Sequence, residues 1–365
     1  MFHILYRDHG SNRMIKIRPF REEDNGALLS IERLCPQGNE KLAMAVDKGP
    51  DITIRYELYD NWQILVAEEE GQTAGWVGWT VKHSPEEQYI YLAEVMVHPD
   101  LHRRGIGTSL IREVEKHAEQ VKASHIYCYV YAPNQASIGL LERMGYIRKK
   151  DITVCEMSAY RKEKPDWKYT LERIDEKDLH EAVELLNRYY EGRTHFVPFT
   201  DKSFHEYANS MPGYGLENFL IAKENGLIVA CGGFWDSAVL MEMAYTKEPV
   251  LWKVMSKVLG MLRHVKAMPR IPAEGEYFQF RSIVDHAFEA GYEDAMDEIL
   301  AYCNNIMYDT KCEFFGAYVD PKDPILEVLK QHRSQFENIY LYAKPIASKL
   351  PDFSSLYVDC RDTIL

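Results

Sequence analysis

A chain of 365 residues is long for one domain and comfortable for two. Its formal net charge of −13 argues against non-specific binding to nucleic acid or to an anionic membrane and favours cationic partners. Seven cysteines, Cys35, Cys128, Cys155, Cys231, Cys303, Cys312 and Cys360, form no C-x-x-C pair, so neither a zinc site nor a disulfide framework is suggested, and the dispersal fits a reducing cytoplasm.

Residues 1–13 read as an N-terminal extension. Their short apolar run is neither a signal peptide nor a membrane span. Residues 14–20 alternate apolar with basic, as a strand does. A helical pattern follows through Ala27, Leu28, Ile31 and Leu34, punctuated by Pro36 and Gly38. Residues 41–59 are expected to form a second helix or an irregular cover. Residues 63–68 and 74–82 form a hairpin. In the next strand Tyr91, Ala93, Val95 and Val97 share one side, and Leu92, Glu94 and Met96 the other. After Pro99 comes a basic turn, His102-Arg103-Arg104-Gly105-Ile106-Gly107. Then Leu110, Ile111, Val114, His117, Ala118 and Val121 recur at helical spacing. Residues 124–131 read as a strand, 136–143 as a short helix ending at Gly145, and 146–160 as one or two strands.

The charged run 161–168, with Pro165, reads as a linker, and the pattern then restarts. Residues 64–71 (ILVAEEEG) are echoed by 219–226 (FLIAKENG), and 75–79 by 230–234. Residues 314–319 resemble the strand 124–130. The reading is a tandem duplication, with units at 14–160 and 169–365. In the second copy the organising strand is expected near 278–284. It is followed by Asp285, Glu289, Glu293 and Asp294, with one glycine and no arginine, so that copy is not expected to bind a pyrophosphate. The segment 237–276 has no counterpart in the first copy.

Strand, glycine-containing turn and helix N-terminus make an anion cradle. The first N–H groups of a helix lack intrahelical partners, the helix dipole adds positive charge, and glycine allows close backbone approach. Arg103 and Arg104 can grip phosphate oxygens. This run resembles the acetyl-CoA-binding core of the GCN5-related N-acetyltransferases (GNAT), whose signature is Gln/Arg-x-x-Gly-x-Gly/Ala. Here His102 takes the first position. The resemblance implies an α/β fold with a mixed sheet, built as two tandem GNAT domains, the second degenerate. It implies acetyl-CoA as co-substrate and no metal. It implies backbone contacts to the acyl and pantetheine groups from Val95, Met96 and Val97. The pyrophosphate contacts would come from Arg103, Arg104, Gly105, Ile106, Gly107 and Thr108, and a pantetheine contact from Asn134, which also suits a helix N-cap. The implied reaction is attack of a primary amine on the thioester, with Glu94 as general base, its pKa raised by a water-poor cleft. The family's tyrosine acid is matched by Leu141, so that role is unfilled. The expected acceptor is a small-molecule or protein amine, the expected state a monomer or homodimer. The alternative reading is a non-catalytic acyl-CoA sensor or partner subunit.

Overall fold

The computed structural model describes residues 4–7, 14–263 and 265–363. The rest of the 1–13 extension lies outside the described residues. The first half runs β1 (Ile4–Arg7), β2 (Met14–Pro19), α1 (Asn25–Leu34), β3 (Gln37–Gly38), β4 (Ala43–Asp47), β5 (Trp62–Glu69), β6 (Gln72–His83), β7 (Gln88–Val97), α2 (Ile106–Gln120), β8 (His125–Tyr131), α3 (Gln135–Arg143) and β9 (Ile147–Ser158). The second half runs β10 (Thr170–Arg173), α4 (Leu179–Tyr190), α5 (Asp201–Ser210), β11 (Phe219–Glu224), β12 (Leu227–Trp235), β13 (Glu242–Lys247), α6 (Val250–Leu262), β14 (Tyr277–Phe278), β15 (Phe280–Phe288), α7 (Glu293–Asp309), β16 (Phe314–Val319), α8 (Ile325–Leu329) and β17 (Ser334–Pro345).

One mixed sheet carries both halves, in the order β1-β2-β5-β6-β7-β8-β17-β9-β16-β15-β12-β11-β10. Beyond β1 the order is palindromic: β2 corresponds to β10, β5 to β11, β6 to β12, β7 to β15 and β8 to β16. The last strand of each half is exchanged. β17 runs antiparallel to β8, pairing Ile339 with Tyr131, and β9 runs antiparallel to β16, pairing Val154 with Tyr318. The charged segment 161–168 carries neither helix nor strand. Asn304 and Asn305 of α7 hold its backbone.

Period-two patterning sets the layers. Along β8, Ile126, Cys128 and Val130 pack under α2, whereas Tyr127, Tyr129 and Tyr131 face a large aromatic core shared by both halves. Burial of each such side chain contributes about 2 kcal/mol. Two readings need correction. Of the two offered for residues 41–59, the helix fails and the irregular cover holds in part: β4 pairs antiparallel with β13, Val46 opposite Met243, in a second sheet ordered β14-β13-β4-β3, and the rest carries no α-helix. The partner of β4 lies about two hundred residues away, so local pattern could not specify it. The alternation along β7 also breaks. Gly78 pairs with Glu94 but Trp79 with Leu92, leaving Ala93 as a bulge. Leu92, Val95 and Val97 therefore share the α2 side, and Tyr91 and Ala93 the other.

Candidate active site

The parallel strands β7 and β8 pair at Ile90–Ile126 and Tyr91–Tyr127 and then separate. A cleft of about 650 Å³ opens at this divergence. It brings together Glu94, Val95, Met96, Val97, Arg103, Gly105, Ile106, Gly107, Thr108 and Asn134. The turn into α2 is made by left-handed residues, Arg103 at φ 63° and Gly105 at φ 78°. Gly107 lets the helix close on the strand: a Cβ there would lie 3.2 Å from a Leu140 methyl and 3.6 Å from Val97. The ladder of α2 begins with Ser109 N donating to the Gly105 carbonyl at 2.9 Å. The N–H groups before it are those a helix leaves without partners. Asn134 caps α3, accepting from Ser137 N at 3.2 Å.

Arg104 departs from the expected phosphate grip. Its Nη1 pairs with Glu69 at 2.8 Å and its Nη2 reaches the Asp100 carbonyl at 3.3 Å. His102 Nε2 lies 2.9 Å from the Val97 carbonyl, and the Cys35 thiol donates to the same oxygen at 3.2 Å. Burial pushes the Cys35 thiol up to about 11.

Glu94 is fully enclosed. Arg55 Nη1 donates to it at 2.9 Å, the Tyr56 hydroxyl at 2.7 Å, and the Lys48 ammonium bridges it to Glu32. Lys48 and Arg55 are each 1% exposed. Burial works to raise the Glu94 pKa, but Lys48 and then Arg55 outweigh it and hold the carboxylate well below its usual range. This reverses the expected shift toward neutrality. Gly78 makes the arrangement possible, because a Cβ there would sit 1.9 Å from the Tyr56 hydroxyl.

The second half preserves part of this geometry. Gly233 leaves room for Tyr214, whose hydroxyl donates to Asp285 at 3.0 Å. Asp285 stands three residues before the end of β15, as Glu94 does in β7. Asp285, expected beyond the strand, lies within it. Burial pushes Asp285 up to about 6. Four residues, 289–292, join β15 to α7, where eight join β7 to α2, so the basic turn has no room. Glu293 and Asp294 open α7.

Two further carboxylates lie behind the cleft lining, one of them bonded to a lining residue. The exchanged strands place Glu156 of β9 and Glu337 of β17 on the face that carries Tyr131, a cleft residue. The Tyr131 hydroxyl donates to Glu337 at 2.8 Å. Burial, then repulsion from Glu337, pushes Glu156 up to about 7. Tyr129 also lines the cleft, and its buried hydroxyl has no partner among the described residues. Sequence reasoning assigned no role to Lys48, Arg55, Glu156, Glu337 or Tyr129. Only the last carried a signal, the Tyr-x-Tyr-x-Tyr run of β8.

The glycine cradle at the divergence of β7 and β8, on a sheet of two paired halves, is built to hold a phosphate-bearing ligand. The acetyltransferase (GNAT) family model matches residues 30–146. An acetyltransferase of Pectobacterium atrosepticum is 30% identical over 134 residues, 36% of this chain and 87% of that protein. The mycothiol acetyltransferase of Saccharomonospora viridis is 34% identical over 74 residues, 20% of this chain and 22% of that one. Among solved structures, the GCN5-related glucosamine N-acetyltransferase region of a fungal multi-domain GH3 β-N-acetylglucosaminidase superposes with a TM-score of 0.64 at 12% identity, covering 92% of this chain and 38% of that one. A tandem GNAT protein from the clavulanic acid biosynthesis pathway superposes with a TM-score of 0.54 at 11% identity, over 92% and 100% of the two chains. At such identities the superpositions speak to fold alone. The chain belongs to the GNAT acetyltransferase family.

Proposed function

We propose that this protein transfers an acetyl group from acetyl-CoA to a primary amine of a cationic acceptor. The observation that carries the reading is the cleft between β7 and β8, which unites the glycine cradle of α2 with the ends of both strands. Arg103 and the free N–H groups at the start of α2 would hold the pyrophosphate, and Asn134 the pantetheine arm. The co-substrate supplies an activated acyl carbonyl. The chain's own residues bind the amine, remove its proton and protonate the leaving sulfur.

Glu94 keeps a place in this scheme as an ionised wall. It is neutralised by Lys48 and Arg55 and fixes the strand end where the acyl group would sit. Glu156 is the proposed proton acceptor: β9 carries it beside Glu337 on the face of Tyr131, and burial pushes it up to about 7. With Glu337 it also supplies negative charge for an ammonium-bearing acceptor. The unpartnered Tyr129 hydroxyl is the proposed donor to the departing sulfur, the role that Leu141 cannot fill.

The test is acetyl-CoA titration followed by thiol release against a panel of polyamines, aminoglycosides and N-terminal peptides. About one binding site per chain together with amine-dependent release supports the reading. Absence of acetyl-CoA binding would overturn it. A second reading, a non-catalytic acyl-CoA sensor, draws on the engagement of Glu94 in ion pairs and on Leu141. It predicts binding without release for every amine.

A further inference from the structure

The connection between β6 and β7 is four residues, 84–87, whereas its counterpart between β12 and β15 runs from 236 to 279. That insertion ties into the first half through β13 and β4. It then projects α6, which has no buried residue. Trp252 meets Tyr245 edge-on at 5.6 Å, and Lys253 bonds to Glu274, holding the helix to the body. The other side faces outward. Val250 is 78% exposed, Leu251 67%, Met261 73% and, just past the helix, Val265 88%. At 3.6 residues per turn, Val250, Leu251, Val254, Val258, Met261 and their neighbours fall within an arc of about 140°. The rest of the circumference carries Lys253, Lys257 and, just past the helix, Arg263, together with Trp252, Ser256, Leu259 and Gly260.

Charge selects the occupant. Residues 249–273 hold five basic residues, Lys253, Lys257, Arg263, Lys266 and Arg270, and no acid; all 56 Asp and Glu lie elsewhere. The segment thus departs from a chain average that disfavours anionic surfaces. Glu274 pairs with Lys253, and Glu276 and Glu313 with Arg270, which leaves Lys257, Arg263 and Lys266 without a carboxylate among the described residues; two copies of α6 pressed face to face would set these cations against each other. An apolar arc with Lys257 on one margin and Arg263 beyond the other is the pattern of a helix lying in a lipid interface. There the apolar side chains enter the acyl boundary and the basic stems reach anionic headgroups. We propose that α6 docks this protein on the surface of an anionic bilayer. No described helix is long and apolar enough to cross one, so the contact is peripheral.

Vesicle co-sedimentation of the full chain tests this, with phosphatidylglycerol–phosphatidylcholine vesicles against phosphatidylcholine alone, at low and high salt. Expected is binding at least about tenfold stronger to the anionic vesicles and weakened by salt. The triple variant Leu251→Ser, Val258→Ser, Met261→Ser should lose that binding by more than about tenfold, with an unchanged melting temperature because these side chains are exposed. Equal sedimentation of parent and variant, or none by the parent, would overturn the proposal. So would a parent dimer that the triple variant converts to monomer without any vesicle binding, since α6 would then be an interface between copies.

Discussion

The imidazole Nε2 atoms of His125 and His195 lie 3.0 Å apart, with the two rings stacked at 5.3 Å. One nitrogen must donate to the other, so the two rings cannot both be imidazolium. Burial lowers His125 to about 4, and burial together with the His125 charge pushes His195 well below its usual value. The unfolded chain takes up protons near pH 6.5 while the folded chain does not, so this pair's stabilisation is full above pH 6.5 and is lost as pH falls toward 4. Glu156 and Asp285, raised to about 7 and about 6, run the opposite way. The histidine contribution is therefore read as a difference. The advantage of wild type over His125→Gln in urea unfolding should shrink by roughly 3 kcal/mol between pH 6.5 and 4. A pH-independent difference would mean that His125 charges freely in the fold.

Glu94 balances two buried cations, so its loss is first a stability event. Glu94→Gln should destabilise the chain by about 3–5 kcal/mol, and Glu94→Gln combined with Lys48→Met should recover part of that. Denaturant midpoints of the two single variants and the double variant measure the coupling. Additive effects would contradict the network.

The two arginines of the turn should separate. Arg103→Ala should weaken acetyl-CoA binding by about tenfold. Arg104→Ala should change affinity by less than about twofold and stability by at most about 1 kcal/mol, because its charge is spent on Glu69. Calorimetric titration of both variants decides between them; equal losses would return Arg104 to the cradle.

If Glu156 takes the amine proton, kcat/KM for the acceptor should rise with pH through an apparent pKa near 7. Glu156→Gln should lower the rate by about 10²–10⁴ and abolish that limb, with acetyl-CoA affinity retained. An unchanged profile would remove Glu156 from the chemistry and return attention to Glu94.

Tyr129→Phe deletes a hydroxyl that bonds to no described group, so it should cost no stability, or gain a few tenths of a kcal/mol. Its effect should fall on kcat for acetyl-CoA, about tenfold or more, and be smaller for a thioester whose thiol is more acidic. A kcat unaffected by the change would leave the hydroxyl as an unexplained buried group.

What could be read from the chain followed from how locally each feature is encoded. The likeness of 314–319 to an earlier strand delimits β16 as it stands. The cradle was legible because one continuous stretch supplies it. The partners of Glu94 were not, since Lys48 and Arg55 lie in a stretch whose β4 takes shape against β13 from the other half. Glu156 and Glu337 were beyond reach for the same reason: 181 positions separate them, and only strand exchange makes them neighbours. The bulge at Ala93 defeated a strict alternation, because one extra residue flips every side chain beyond it.

The exchange of β9 and β17 also sets an order of events during synthesis. β8 needs β17 along one edge, and β17 is not made until residues 334–345 leave the ribosome. An N-terminal half that has emerged alone holds an open sheet edge through the translation of nearly two hundred further residues. Its tyrosine-lined face stays uncovered for the same interval, an invitation to pair with a neighbouring nascent chain. Completion of the half that carries the cradle is thus deferred to the end of translation, and a ribosome that stalls before residue 334 leaves behind an unfinished sheet rather than a smaller complete fold.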